Sequence, residues 1–235
     1  MTPYLNTSDM KRILTVILAA AALLTACKPG KPVEMVVETT MGNFEIKLYN
    51  ETPRHRDNFI KLVRQHYYDS LLFHRVIADF MIQTGDPDSK HAEPMQQLGS
   101  GGPGWTVPAE FCVDKGIYHK RGALAAARLG DRANPRKASS GSQFYIVWGS
   151  IFDDEGLDAV QQMLDENTDG TVKLTPEMRE VYKTVGGTPH LDGQYTVFGE
   201  VTTGLEVIDA IQQTWTDLFD RPVEDIRILR VYRKK

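Results

Sequence analysis

The run Leu72-Phe73-His74-Arg75-Val76-Ile77-Ala78-Asp79-Phe80-Met81-Ile82-Gln83-Thr84-Gly85-Asp86 decides how the whole chain is read. Its middle is rich in apolar residues that suit strands, the pattern of a sheet with little water on either face. Arg75 and Gln83 interrupt it among Phe73, Phe80, Met81 and Ile82. Burying either polar head without a partner costs kilocalories, so the two together point to a wet groove opening onto the sheet. Chemistry is sought in that groove.

Outward from this run the chain alternates strand and turn signals. Val33 to Thr39 and Phe44 to Tyr49 read as strands with Gly42-Asn43 at the bend between them. Thr52 is placed to cap a helix beginning at Pro53, with Phe59, Leu62 and Val63 on its apolar face and His55 and His66 toward solvent. Gly99 to Gly104 is a glycine-rich loop without the Gly-Lys-Ser/Thr ending of a phosphate cradle, so it reads as backbone brought close to a ligand or a neighbouring strand. Gln143 to Val147 is strand-like. Residues 150 to 187 are acidic and carry two short helix patterns, Leu157, Val160, Leu164 and then Met178, Val181, Tyr182, which together look like an insertion. Strand signals resume at Gln194 to Val201; a helix with Leu205, Ile208 and Ile211 follows, and Ile226 to Tyr232 closes the chain. Many short strands with two main helices predict a mainly β fold whose sheet closes, or nearly closes, on itself.

The first 26 residues differ in kind. Lys11 and Arg12 precede an apolar run from Ile13 to Leu24, the pattern of a secretory signal, and Met10 offers itself as an alternative start. Leu24-Thr25-Ala26-Cys27 resembles the bacterial lipobox, in which Cys27 is the residue lipidated, and residues 28 to 32 then form a tether. Lys28 stands where the best-known inner-membrane retention signal has Asp, so an outer-membrane location facing the periplasm is expected. The reading is therefore a lipoprotein signal peptide over 1 to 26, a lipidated tether over 27 to 32, and one domain over 33 to 235.

The formal charge of −4 points away from nucleic acid. Removing the leader takes away Lys11, Arg12 and Asp9 and makes the chain one charge more acidic. Cys112, between Phe111 and Val113, reads as a small buried hydrophobe, with no internal disulfide. The six histidines lack metal-ligand spacing, so no metal and no cofactor is expected.

Phe73-His74-Arg75-Val76-Ile77, Phe80-Met81-Ile82-Gln83 and Gly85-Asp86 resemble the signature of the cyclophilin-type peptidyl-prolyl isomerases. Gly99 to Gly104, Ser142-Gln143-Phe144, Leu191-Asp192-Gly193 and Val197-Phe198-Gly199 look like later landmarks of that family in the same order. The resemblance implies an eight-stranded antiparallel closed β-barrel capped by two α-helices, here with a short helical insertion at about 150 to 187.

Rotation about an X-Pro amide faces a barrier of about 18–20 kcal/mol from delocalisation of the nitrogen lone pair. A catalyst needs an apolar slot for the ring and a fixed cation that favours the twisted amide, and no covalent intermediate. By resemblance, Phe80, Met81, Tyr145 and Leu191 line the slot, Arg75 is the cation at the prolyl carbonyl, and Gln83 orients it and binds substrate backbone. Ala127 and Arg128 fall where the family binds residues before proline, with Arg128 replacing a common Asn. His190 stands where members sensitive to cyclosporin carry Trp, which implies weak binding of that drug. Tyr145 replaces a common Phe and brings a hydroxyl that needs a partner, and Tyr195 replaces a common His as an aromatic wall. His74 is expected as a hydrogen-bonded framework residue rather than a base. Two functions compete: a monomeric isomerase that helps exported proline-containing polypeptides fold, and a non-catalytic envelope lipoprotein that only grips proline-containing segments.

Overall fold

The computed structural model describes residues 31 to 234; the leader and Cys27 lie outside the described residues. Strands β1 (Val33–Thr39) and β2 (Gly42–Leu48) form a hairpin whose two-residue turn is Thr40-Met41, two residues earlier than the Gly42-Asn43 bend expected from sequence. Gly42 holds φ +127, which a side chain rarely adopts, and closes the turn at the strand's first position. Helix α1 (Pro53–Arg64) follows, then β3 (Arg75–Ile77), β4 (Met81–Thr84), the short β5 (Thr106–Val107), β6 (Ala123–Ala126), the short β7 (Ser139–Ser140) and β8 (Phe144–Val147). Helices α2 (Asp154–Asn167) and α3 (Pro176–Thr184) precede β9 (Val197–Thr203), α4 (Leu205–Gln212) and β10 (Ile228–Arg233).

Eight strands form one antiparallel sheet in the order β10-β1-β2-β9-β6-β8-β4-β3. It is a half-barrel and not the closed barrel expected. Edge strands β3 and β10 are not paired; the gap between them is crossed by the isolated Leu72–Arg227 bridge and by Phe73 N–H to the Ile226 carbonyl at 2.9 Å. The physical reason lies at β3. It is three residues long, and its Val76 N–H is taken by the Asp220 carbonyl at 2.7 Å, so a loop already covers the edge that a further strand would need.

Alternation along the strands sorts residues onto two faces. Val37, Phe44, Ile46, Val76, Ile82 and Ile146 join Phe59 and Leu62 of α1 and Ile208 and Ile211 of α4 in the main core. Met81, Ala123, Ala125, Tyr145 and Val147 form a second cluster on the opposite face. A third cluster, Leu157, Val160, Leu164, Val172, Leu174, Met178 and Tyr182, belongs to the α2–α3 segment, with Val113, Tyr118 and Phe152 packed against it.

Helix α1 corrects two expectations. Thr52 makes no side-chain cap, and its hydroxyl is buried without a partner. The Glu110 carboxylate takes the first-turn N–H groups instead, at 3.1 Å from Arg54 N and 3.0 Å from His55 N. A carboxylate satisfies two orphan donors and the helix dipole together, which a threonine hydroxyl cannot. His55, expected at the surface, is buried between Glu110 (2.7 Å) and Ser139 (2.9 Å), whereas His66 is exposed as expected. In α2 and α3 the cap residues Asp153 and Thr175 accept from Gly156 N and Met178 N. Cys112 is buried, and burial pushes its thiol up.

Candidate active site

The β3–β4 hairpin builds one wall of a cavity of about 540 Å³, a size suited to a small ligand group. Arg75 opposes Gln83 and Ile77 opposes Met81, so these residues share the face away from the main core. In the next rung Gln83 opposes Tyr145, and Tyr145 opposes Ala125 of β6. Pairing alone therefore gathers Arg75, Gln83, Met81 and Tyr145 from distant stretches onto one patch.

The cavity is lined by Arg75, Phe80, Met81, Gln83, Ala127, Arg128, Tyr145, Leu191 and Tyr195, all singled out from sequence. His190 is not on its wall: it stacks on Phe80, ring centroids 5.9 Å apart with planes 20° from parallel. The remaining wall comes from His74 and from Gly99 and Ser100 of the glycine-rich loop, and from segments with no site signal in the sequence: Gln96 to Leu98, and Phe219, Asp220 and Arg221.

The Arg75 side chain is 41% exposed, and its Nε donates to Asp220 Oδ2 at 3.3 Å. The Gln83 amide is bonded not to Arg75 but to Gln143 Oε1 at 3.0 Å, and the Gln143 amide in turn donates to the carbonyls of Gly99 (3.0 Å) and Gly101 (2.8 Å). Asp86, fully buried, accepts from Gly99 N at 2.5 Å, and a Cβ on Gly101 would lie 2.1 Å from its Oδ1. The glycine-rich loop is thus backbone packed against a carboxylate and an amide, with Gly101 required by closeness and Gly99 by its φ of +99. His74, buried beside this loop, departs from expectation. Neither ring nitrogen has a hydrogen bond of ordinary geometry, and burial brings its pKa down to about 4, with Asp86, the Leu72 backbone and Gln143 offsetting only part of that.

The Tyr145 hydroxyl finds its partner in His119 Nε2 at 3.0 Å. His119 Nδ1 lies 2.9 Å from Asp192 Oδ1, which also accepts the His119 backbone N–H at 2.8 Å, and the Tyr182 hydroxyl of α3 donates to Asp192 Oδ2 at 2.6 Å. With Nδ1–H given to the carboxylate, Nε2 is the acceptor for Tyr145. All four residues are buried, and burial raises both tyrosine hydroxyls well above their ordinary range. Arg128 is equally committed. Its side chain is 5% exposed, paired with Asp131, bonded through Nε to the Gln194 carbonyl at 2.7 Å and laid over the Tyr195 ring at 4.4 Å.

Among the described residues the wall thus offers an apolar floor, with the Tyr145 hydroxyl turned toward His119, and one accessible guanidinium, that of Arg75. The family described as cyclophilin type peptidyl-prolyl cis-trans isomerase/CLD matches residues 34–233. The peptidyl-prolyl cis-trans isomerase CYP18-2 of Arabidopsis thaliana is 32% identical over 210 residues, 88% of this chain and 97% of that protein. A putative peptidyl-prolyl cis-trans isomerase of Staphylococcus aureus is 34% identical over 200 residues, 83% of this chain and 89% of its own. Among solved structures, a cyclophilin-type isomerase of Cryptosporidium parvum superposes with a TM-score of 0.62 at 22% identity, covering 87% of this chain and 98% of that one. The chain belongs to the cyclophilin-type peptidyl-prolyl cis-trans isomerases. Its reaction is the cis-trans isomerisation of X-Pro bonds, and proline-containing peptides are the kind of molecule it acts on.

Proposed function

We propose that the cavity isomerises X-Pro bonds by holding the pyrrolidine ring on Phe80, Met81, Tyr145 and Leu191 while Arg75 addresses the prolyl carbonyl. A guanidinium fixed there lies beside the proline and stabilises the localised, basic lone pair that the nitrogen carries in the twisted amide, so the barrier falls without a covalent intermediate. Gln83 and the backbone at Ala127 and Arg128 would hold the peptide on either side. Because Arg128 is engaged with Asp131 and Gln194, its contribution would be its backbone, which tolerates many sequences. The observation that carries this reading is the exposed Arg75 guanidinium on the wall it shares with an apolar floor.

The physiological role follows from the leader. The basic residues Lys11 and Arg12, the apolar run and Cys27 support a lipidated envelope protein in the outer membrane facing the periplasm, where the isomerase would assist the folding of exported proteins as a monomer. The acidic segment from 150 to 187 would be an insertion in the family's plan.

Turnover of a short X-Pro peptide, with Arg75→Ala alongside, separates this enzyme from a lipoprotein that merely grips proline segments. Losing one positioned electrostatic group lowers kcat by about 100-fold. Equal rates for the two proteins would defeat the mechanism. Labelling with radioactive palmitate should mark the wild type and not Cys27→Ser; label on neither would remove the anchor.

A further inference from the structure

Among the described residues lining the cavity, Asp220 is the one carboxylate. It is 43% exposed and takes the Arg75 Nε at 3.3 Å. The other guanidinium groups on the wall are withdrawn: Arg128 is 5% exposed and paired with Asp131, and Arg221 is 6% exposed, paired with Asp225 at 2.8 Å and bonded to the Glu93 carbonyl at 2.8 Å. The pair open to an arriving peptide is therefore Arg75 with Asp220.

Asp220 is also held in place. Its carbonyl accepts Val76 N–H at 2.7 Å, one residue along β3 from Arg75, and its own N–H donates to the Asp217 carbonyl at 3.1 Å. The Asp217 carboxylate takes Phe219 N–H at 2.8 Å and Arg221 N–H at 3.1 Å, and Asp220 itself adopts φ +63. This is a built turn that aims a carboxylate into the site. Nothing in the isomerisation requires an anion there; next to the catalytic cation it weakens the field at the amide.

Resting on the isomerase reading, the geometry points to Asp220 as a specificity-determining residue that favours substrates with Lys or Arg directly after the proline. The prolyl carbonyl addressed by Arg75 is bonded to the nitrogen of the next residue, so a carboxylate touching Arg75 lies within reach of that residue's side chain. A basic side chain there pairs with Asp220 and draws it from Arg75, which frees the guanidinium for the carbonyl. An acidic one meets Asp220 as a like charge.

The test is cis-trans exchange measured by NMR on peptides that differ only in having Lys, Ala or Glu after the proline. Both charges are half exposed, so the effect is modest: about a threefold advantage in kcat/KM for Lys over Glu. Near 1 M salt the ratio should approach one as the screening length falls to about 3 Å. Asp220→Asn keeps the shape and tolerates positive φ while removing the charge, and should give one rate for all three peptides. Equal rates in the wild type, a preference for Glu, or a Lys preference that survives in Asp220→Asn overturns the assignment and leaves the isomerase standing. Absence of exchange with every peptide overturns the isomerase reading itself. Should Asp220→Asn fail to fold, the wild-type salt series decides alone: a Lys advantage that salt does not erase counts against Asp220.

Discussion

The floor and the rim of the cavity are built on opposite principles. The floor ends in Tyr145, whose hydroxyl is tied through His119 to Asp192 and Tyr182 by hydrogen bonds of 3.0, 2.9 and 2.6 Å, with every member buried. The rim holds one ion pair of 3.3 Å between side chains more than 40% exposed. Polar networks in a low-dielectric interior are rigid and costly to break, whereas exposed pairs exchange partners cheaply. A ring slot must keep its shape; a group that greets a moving peptide must let go of its resting partner. Each region uses the interaction whose energy scale suits it.

The largest effect should come from emptying the floor network. Asp192→Ala leaves the His119 ring, the His119 backbone N–H and the Tyr182 hydroxyl without their acceptor. Unpaired buried groups of this kind cost about 3–5 kcal/mol, to be read as a fall in the urea midpoint. A loss under about 1 kcal/mol would show that water replaces the carboxylate and that the floor is no more rigid than the rim.

The contrast also marks what could be read before the structure. Arg75, Phe80, Met81 and Gln83 were legible because a tight hairpin joins them and strand alternation sorts them; Tyr145 and Leu191 followed from the order of landmarks. Asp220 was not, being 145 residues from Arg75 in a loop that reaches β3 through the Val76 N–H bond to its own carbonyl, a contact with no local sequence signal. The same distance problem hid Glu110, which caps α1 from 56 residues away and buries His55. The half-barrel was missed because local strand signals say how many strands there are, not whether a loop has claimed the last free edge.

Acid should separate buried from exposed groups next. His74 holds a pKa of about 4 in the folded chain, chiefly through burial, against 6.5 when unfolded. The unfolded state then binds the extra proton first, so the stabilisation is complete above pH 6.5 and is lost as pH falls toward 4. The difference corresponds to about 3 kcal/mol at most. Glu200 extends the trend: burial pushes it up, yet hydrogen bonds from Lys120 and Lys47 hold it near 2, so its contribution drains away between 4.5 and 2. Chemical denaturation between pH 7 and 4.5 should show a falling midpoint that is flatter in His74→Asn; parallel curves would mean that the imidazole is protonated in the folded protein.

Tyr145→Phe probes the floor more gently. It removes one hydroxyl and leaves His119 Nε2 without its donor, at a cost of about 1 kcal/mol. Because the hydroxyl is directed at His119, away from the slot, KM for a short X-Pro peptide should hold. A clear change in KM at unchanged stability would place the hydroxyl within reach of substrate.

The smallest change in stability should come from the same deletion made at the rim. Asp217→Ala removes the acceptor of the Phe219 and Arg221 N–H groups, as Asp192→Ala removes the acceptor of the floor, but water can reach the exposed turn and replace it. The loss should resemble that of a helix cap, about 1 kcal/mol or less. Its consequence should be functional instead: with the turn loosened, Asp220 no longer stays opposite Arg75, and the dependence of rate on the charge after proline should weaken while turnover of a neutral peptide persists. Were Asp217→Ala to unfold the protein as readily as Asp192→Ala, the turn would belong to the core, and the division between a rigid floor and an exchangeable rim would not hold.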